Sequence, residues 1–332
     1  MCSGGHQPRP WAFLIAHRPR PGKYCCSYFF AVFLSLCLDL MKGLLRSFTR
    51  LGGVRRYDGT RAKELGIAGI KHAIAVASAK GGVGKSTTAV NLAATLANKC
   101  QLKVGLLDAD VYGPNVPIMM KLNGKPEVTE DKKMIPIEKY GVKCMSIGLL
   151  VDKDAPLVWR GPMVSSALEK MTRGVEWGTL DILVVDMPPG TGDPQITISQ
   201  RLQLSGALIV STPQDVALMD ARRGINMFSK VQIPILGVVE NMSWFKCPHC
   251  GEPSFIFGKE GTQKTADEMD LELLGKIPLE PAIREGCDEG VPIVVSSPDS
   301  VVSKAYVDVA QKVLKRLEDL SKTDQTRPEI VL

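Results

Sequence analysis

Short apolar runs recur along the body of this chain, each closed by Asp, Gly, Pro or Ser. The first spans residues 73–78, and others span 104–107, 182–185, 207–210 and 235–239. None alternates with polar residues, as a strand with one wet face does. Such runs predict strands covered on both faces, the signature of a parallel sheet between helices. Between them lie stretches with apolar residues at helical spacing: residues 87–98, residues 217–231, and a last segment with Ala310, Val313, Leu314, Leu317 and Leu320 on one face. The pattern predicts a single α/β domain over residues 73–320, its sheet mostly parallel and flanked by helices. A polar, mobile tail is expected over 321–332.

Upstream of Ala73 the character changes. Residues 1–57 hold nine Lys or Arg against one acid, Asp39, so the leader carries more than the whole net charge of +6. The body is near neutral and makes no electrostatic case for nucleic acid. The apolar run from Tyr28 to Leu38 is far shorter than the ~20 residues of a membrane helix, so no stable membrane span is expected. From Met41, the stretch MKGLLRSFTRLGGVRRY bears Lys and Arg without an acid, and Leu44, Leu45, Phe48 and Leu51 recur at helical spacing. That is the composition of a mitochondrial presequence. Residues 1–72 are therefore expected to be a leader, with a matrix-targeting start at Met41 and an upstream extension before it; a disordered tail is the alternative.

Between the first strand and the first helix lies Lys80-Gly81-Gly82-Val83-Gly84-Lys85-Ser86-Thr87, in the strand–loop–helix context of a P-loop. Glycines let successive N–H groups turn inward around phosphate oxygens, and the helix N-terminus faces the same charge. Lys85 is expected to neutralise the β- and γ-phosphates of ATP, and Ser86 to ligate Mg²⁺. The usual first glycine is Ala79 here. If the backbone there required positive φ, its Cβ would cost about 1–2 kcal/mol. Asp108 and Asp110 close one strand and Asp186 another, on the edge where an open α/β sheet binds ligands. Asp186 fits an acid holding Mg²⁺ directly or through water.

The nine cysteines make no disulfide framework, because a body of this size buries its own core. One pair stands out, in Cys247-Pro248-His249-Cys250. Two thiolates so spaced can grip a metal or cluster, yet a structural zinc or a cubane cluster takes four ligands. No second CxxC exists in the chain. Two-fold symmetry offers a solution, each of two chains giving Cys247 and Cys250 to one bridging site. A zinc knuckle is the alternative. Trp159, Arg160, Trp177 and Trp244 are read as core or interface.

The KGGVGKST form, with its extra Lys80, resembles the deviant Walker A ATPases, the group of MinD, ParA and nitrogenase iron protein. The resemblance implies a homodimer in which Lys80 reaches the partner's nucleotide. It also implies that Asp110 is the first switch, positioning the attacking water, and that Asn241 reads adenine. Further motifs narrow it: KGGVGKSTTAVNLA, DADVYGPNVP, VWRGPMVSSAL, DILVVDMPPGTGD, STPQDVALMDARRG, ENMSWFKCPHC and GKIPL are together similar to the Mrp/ApbC branch of P-loop iron–sulfur carriers. That resemblance implies a labile 4Fe–4S cluster bridging the homodimer, a slow ATPase coupled to its release, and delivery to apo iron–sulfur proteins, chiefly subunits of respiratory complex I. A partitioning or positioning ATPase of the ParA/MinD kind with a structural zinc is the competing reading. It leaves the cysteine pair without a part in the mechanism, and the polar C-terminus lacks the amphipathic membrane helix it calls for. A metabolic kinase or ligase is a third, without a substrate motif to support it.

Overall fold

The structure is a computed structural model and describes residues 67–150 and 161–325. The expected presequence from Met41, Trp159 and Arg160 lie outside the described residues. Strand β1 (Ile70–Ala77) leads through the glycine loop to α1 (Lys85–Asn98). There follow β2 (Val104–Asp108), α2 (Val116–Met119), β3 (Ile137–Lys139) and β4 (Val142–Ser146). Next come α3 (Gly161–Arg173), β5 (Leu180–Asp186), α4 (Asp193–Leu202), β6 (Gly206–Ser211) and α5 (Asp215–Lys230). The chain continues with β7 (Ile235–Lys246), β8 (Pro253–Ser254), α6 (Gly261–Glu268), β9 (Leu273–Leu279), α7 (Pro281–Glu289), α8 (Ile293–Ser296) and α9 (Val301–Gln325).

Strands β4, β2, β5, β1, β6, β7 and β9 pair in that order, all parallel. Two short antiparallel strands are added, β3 on β4 and β8 on β7. Side chains leave β1 alternately to its two faces. Ile74 and Val76 join Leu92 and Leu96 of α1 and Tyr306 and Val313 of α9 in one buried cluster. Ala75 and Ala77 join Leu168 of α3 and Ile225 and Phe228 of α5 in the other. Apolar runs without polar alternation thus have helices over both faces, as the pattern required.

Four elements differ from expectation. Strand β7 runs on from Val239 to Lys246, because Met242 takes a positive φ of 55° and lets four steps on β7 oppose two on β9. Strand β9 was not anticipated, since Lys276 and Pro278 interrupt its apolar run. Strand β4, with Lys143 inside five residues, was missed for the same reason. Helix α9 continues to Gln325, past Leu320 where a mobile tail was expected to begin, its polar last turn adding backbone bonds to a well-packed helix. Among the described residues, no helix is long and apolar enough to cross a membrane.

Candidate nucleotide and thiolate sites

The P-loop connects the carboxyl end of β1, the strand between β5 and β6, to α1. Gly82 and Gly84 carry the left-handed turns, with φ of 81° and 85°, whereas Ala79 does not take positive φ. The strain anticipated at Ala79 is therefore absent. Gly84 is also the N-cap of α1; no side chain caps that end, and its first turn holds no acid. The helix N-terminus is left for an external anion. Gly81 and Gly82 are exposed, and a Cβ added at either would meet nothing within 4 Å. A cavity of about 400 Å³ opens here, lined by the loop together with Asp110, Tyr112, Gly113, Asn115, Met119 and Pro189.

Below the loop, Lys85 Nζ stands 2.6 Å from Asp186 Oδ1, 3.7 Å from Asp110 Oδ2 and 3.2 Å from Ser86 Oγ. All four residues are buried. Register explains the gathering: Asp108 and Asp186 are partners on adjacent strands, and Val76 pairs with Asp186. Asp186 Oδ2 is buried without a hydrogen-bond partner among the described residues. Burial pushes the Asp186 carboxyl upward, against the pull of Lys85. The expected Mg²⁺ ligands, Ser86 and Asp186, thus sit together, and the orphaned oxygen supplies an acceptor that a cation would satisfy.

Asp108 was noted in the sequence only as a strand-end acid, but it organises the neighbouring loop. Its Oδ2 accepts from Ser146 Oγ at 2.9 Å and the Val116 N–H at 3.3 Å, and its Oδ1 accepts from the Asp110 N–H at 3.2 Å. Complete burial, with the Asp186 charge beside it, pushes its carboxyl up to about 8. Asp110 in turn accepts from the Gly113 N–H at 3.2 Å, fixing the loop that carries it. Ser146 escaped sequence reasoning because its strand was missed. Cys287, which no motif announces, comes to 3.8 Å from Thr87 Oγ1. Trp177 is buried and Trp244 half-buried.

Lys80 is half-exposed beside the cavity mouth and makes no ion pair with a described residue. Asn241, expected to read adenine, donates from Nδ2 to the Val83 carbonyl at 2.8 Å and is not among the cavity's lining residues. Further along β7, Cys247 and Cys250 form a compact turn: the Cys247 carbonyl accepts from the Gly251 N–H at 2.9 Å, and the Cys247 N–H donates to Glu252 at 3.0 Å. Backbone N–H groups of Cys250 and His249 are directed at the Cys247 sulfur and lower its thiol's pKa, favouring the thiolate that binds metals. Cys250 is exposed and Cys247 partly so. Among the described residues no group of three or more His, Cys, Asp or Glu could hold a metal ion, so this pair finds no further ligands among them.

A family model described as "NUBPL iron-transfer P-loop NTPase" matches residues 69–314. The "Iron-sulfur protein required for NADH dehydrogenase, mitochondrial" of Arabidopsis thaliana is 73% identical over 262 residues, covering 79% of this chain and 84% of that one. The "Iron-sulfur cluster transfer protein NUBPL" of Mus musculus is 56% identical over 257 residues, with coverage of 77% and 81%. Among solved structures, a nucleotide-binding protein in complex with ADP from Archaeoglobus fulgidus superposes with a TM-score of 0.62 at 35% identity, covering 74% of this chain and 95% of its own. The cell division ATPase MinD of Pyrococcus furiosus gives a TM-score of 0.55 at 25% identity, with coverage of 74% and 99%.

Proposed function

This chain belongs to the NUBPL iron-transfer P-loop NTPases, and from that premise we propose that it is an ATP-dependent iron–sulfur carrier serving assembly of respiratory complex I. The relatives named for cluster transfer and for NADH dehydrogenase support this reading, as does the mitochondrial name of the plant relative. The basic stretch from Met41 is taken as its address to the matrix. The cargo is a 4Fe–4S cluster, held between two copies by Cys247 and Cys250 of each.

The observation that carries the proposal is that Asn241, which braces the P-loop, lies on β7, and that the turn bearing Cys247 and Cys250 follows directly from that strand's end. ATP and Mg²⁺ are the switch ligands. Mg²⁺, when bound, would supply positive charge to the phosphates. Lys85, now paired with Asp186, would neutralise phosphate oxygens, and Ser86 and Asp186 would hold the cation. Gly81 and Gly82 leave room for the phosphate chain, and the uncapped end of α1 faces its charge. Asp110 orients the attacking water, and Lys80 reaches the nucleotide of the other copy. Any change in the loop is passed through Asn241 to β7 and so to the grip on the cargo.

Anaerobic reconstitution with iron and sulfide tests this. Wild type is expected to turn brown, to bind ATP and to transfer its cluster to an apo acceptor, whereas Cys250→Ala keeps ATP affinity and loses both colour and transfer. A colourless wild type holding stoichiometric zinc would overturn the reading.

A further inference from the structure

Beside the thiolate pair the surface is unexpectedly apolar. Among the described residues, four of the ten large hydrophobic side chains exposed to solvent lie on two adjacent segments, the start of α5 and the turn after β8: Val216, Met219, Phe255 and Ile256, at 60, 55, 41 and 57% exposure. Local geometry brings them together. The β7–β8 hairpin pairs Phe245 with Ser254, so Phe255 and Ile256 follow directly on the finger that bears Cys247 and Cys250. The Gly258 N–H then donates back to the Phe255 carbonyl at 3.2 Å. That turn runs against Pro213: Cβ atoms built on Gly258 and Gly261 would lie 3.7 and 2.7 Å from its carbonyl oxygen. Pro213 stands just before α5, whose first turns present Val216 and Met219 three residues apart, hence on one face.

The rim around these four is polar. Lys259 Nζ lies 5.2 Å above the Phe255 ring, and Arg223 pairs with Asp220 at 2.9 Å while reaching Met219 Sδ at 3.9 Å. An apolar centre within a charged border of both signs is the anatomy of a protein interface rather than of a basic, lipid-facing surface.

We propose that Val216, Met219, Phe255 and Ile256 form a collar against which a second copy of this chain closes, sealing the shared cluster from water. The inference rests on the carrier reading above and deepens it. The occupant follows from the half-filled metal grip: the described residues supply two thiolates, and the missing pair comes from an identical finger. Around a two-fold axis through that cluster, whatever lies next to Cys250 meets its own image or that of its neighbour. Phe255 and Ile256 follow the finger that carries Cys250, and the start of α5 packs beside their turn. Excluding water there protects the cluster's sulfurs from hydrolysis and oxidation, and opening the collar exposes them for transfer.

The experiment compares wild type with the double variant Phe255→Asp/Ile256→Asp and, separately, Met219→Asp, all reconstituted anaerobically. Sedimentation velocity gives the dimer dissociation constant, and decay of the cluster's visible absorbance on adding an iron chelator gives its protection. All replaced side chains are exposed, and urea unfolding verifies that the variants fold. The expected result is a wild-type dimer whose dissociation constant rises about tenfold or more in each variant, with a similar acceleration of cluster loss and unchanged ATP affinity. Equal dimer affinity and equal cluster protection in the variants would overturn the collar while leaving the carrier reading intact. A tight variant dimer that keeps its cluster but no longer passes it to an apo acceptor would also overturn it, assigning the surface to a client. Cluster bound to a monomeric wild type would instead remove the bridged-carrier reading itself.

Discussion

Asn241 donates its side-chain amide to the Val83 carbonyl at 2.8 Å, tying the nucleotide loop to the strand that ends just before Cys247. Both residues are buried, so nothing in solvent replaces that bond if it is lost. Replacing Asn241 by Ala leaves a buried carbonyl unpaired, at a cost of about 1–3 kcal/mol. Calorimetric titration is expected to show ATP and GTP affinity falling by the same factor, about tenfold or more. Loss confined to ATP would contradict this and support an adenine-reading role for Asn241.

The loop's glycines are not equivalent. At Gly84, φ is 85° and a Cβ would come within 2.1 Å of Asn241 Nδ2. Gly84→Ala is expected to lower stability by about 1–2 kcal/mol from the backbone alone and to abolish nucleotide binding. Gly81 has ordinary φ and open space around it. Gly81→Ala should leave the urea midpoint unchanged while raising the KM for ATP, because the new methyl enters the cavity and not the core. A matching loss of stability in both variants would contradict this division.

Lys85 offsets the buried Asp186 carboxylate from 2.6 Å. Lys85→Ala removes the phosphate-binding cation and also strands that carboxylate. Nucleotide affinity is expected to disappear from calorimetry, with destabilisation of about 3 kcal/mol or more in urea. Wild-type ATP affinity in the variant would exclude Lys85 from the site.

Asp108 gives the apoprotein a defined pH response. Its carboxyl rises from 3.8 to about 8 on folding, through burial and the nearby Asp186. Between those values the folded state retains a proton that the unfolded chain releases. Its contribution is therefore most favourable below pH 4 and is lost as pH rises toward 8, by at most about 1.4 kcal/mol per pH unit. Urea unfolding of Mg²⁺-free wild type and Asp108→Asn at pH 5, 6, 7 and 8 should show the wild type losing stability relative to the variant. A constant difference would mean that Asp108 is ionised throughout.

Much of this was legible in the sequence because it is local. The P-loop needs only consecutive residues between an apolar run and a helix, and the CxxC pair is contiguous. The parallel sheet could be read from the apolar runs, since strands buried on both faces announce themselves. Relationships that cross the sheet could not be read. Ser146 meets Asp108 only because β4 lies beside β2, and β4 hides behind Lys143. The Asn241–Val83 bond joins residues 158 positions apart. The extension of β7 to the thiolate pair depends on a left-handed Met242, a conformation to which an unbranched side chain gives no clue. Exposure at Phe255 and Ile256 was equally hidden, because an apolar pair next to a hairpin reads as core.

The bridged cargo is tested most directly by sedimentation velocity of the anaerobically reconstituted protein, followed at the cluster's visible absorbance. The expected result is colour moving with a species of twice the chain mass, one cluster per pair of chains, and Cys250→Ala sedimenting colourless as a single chain. Colour sedimenting with a single chain would contradict it.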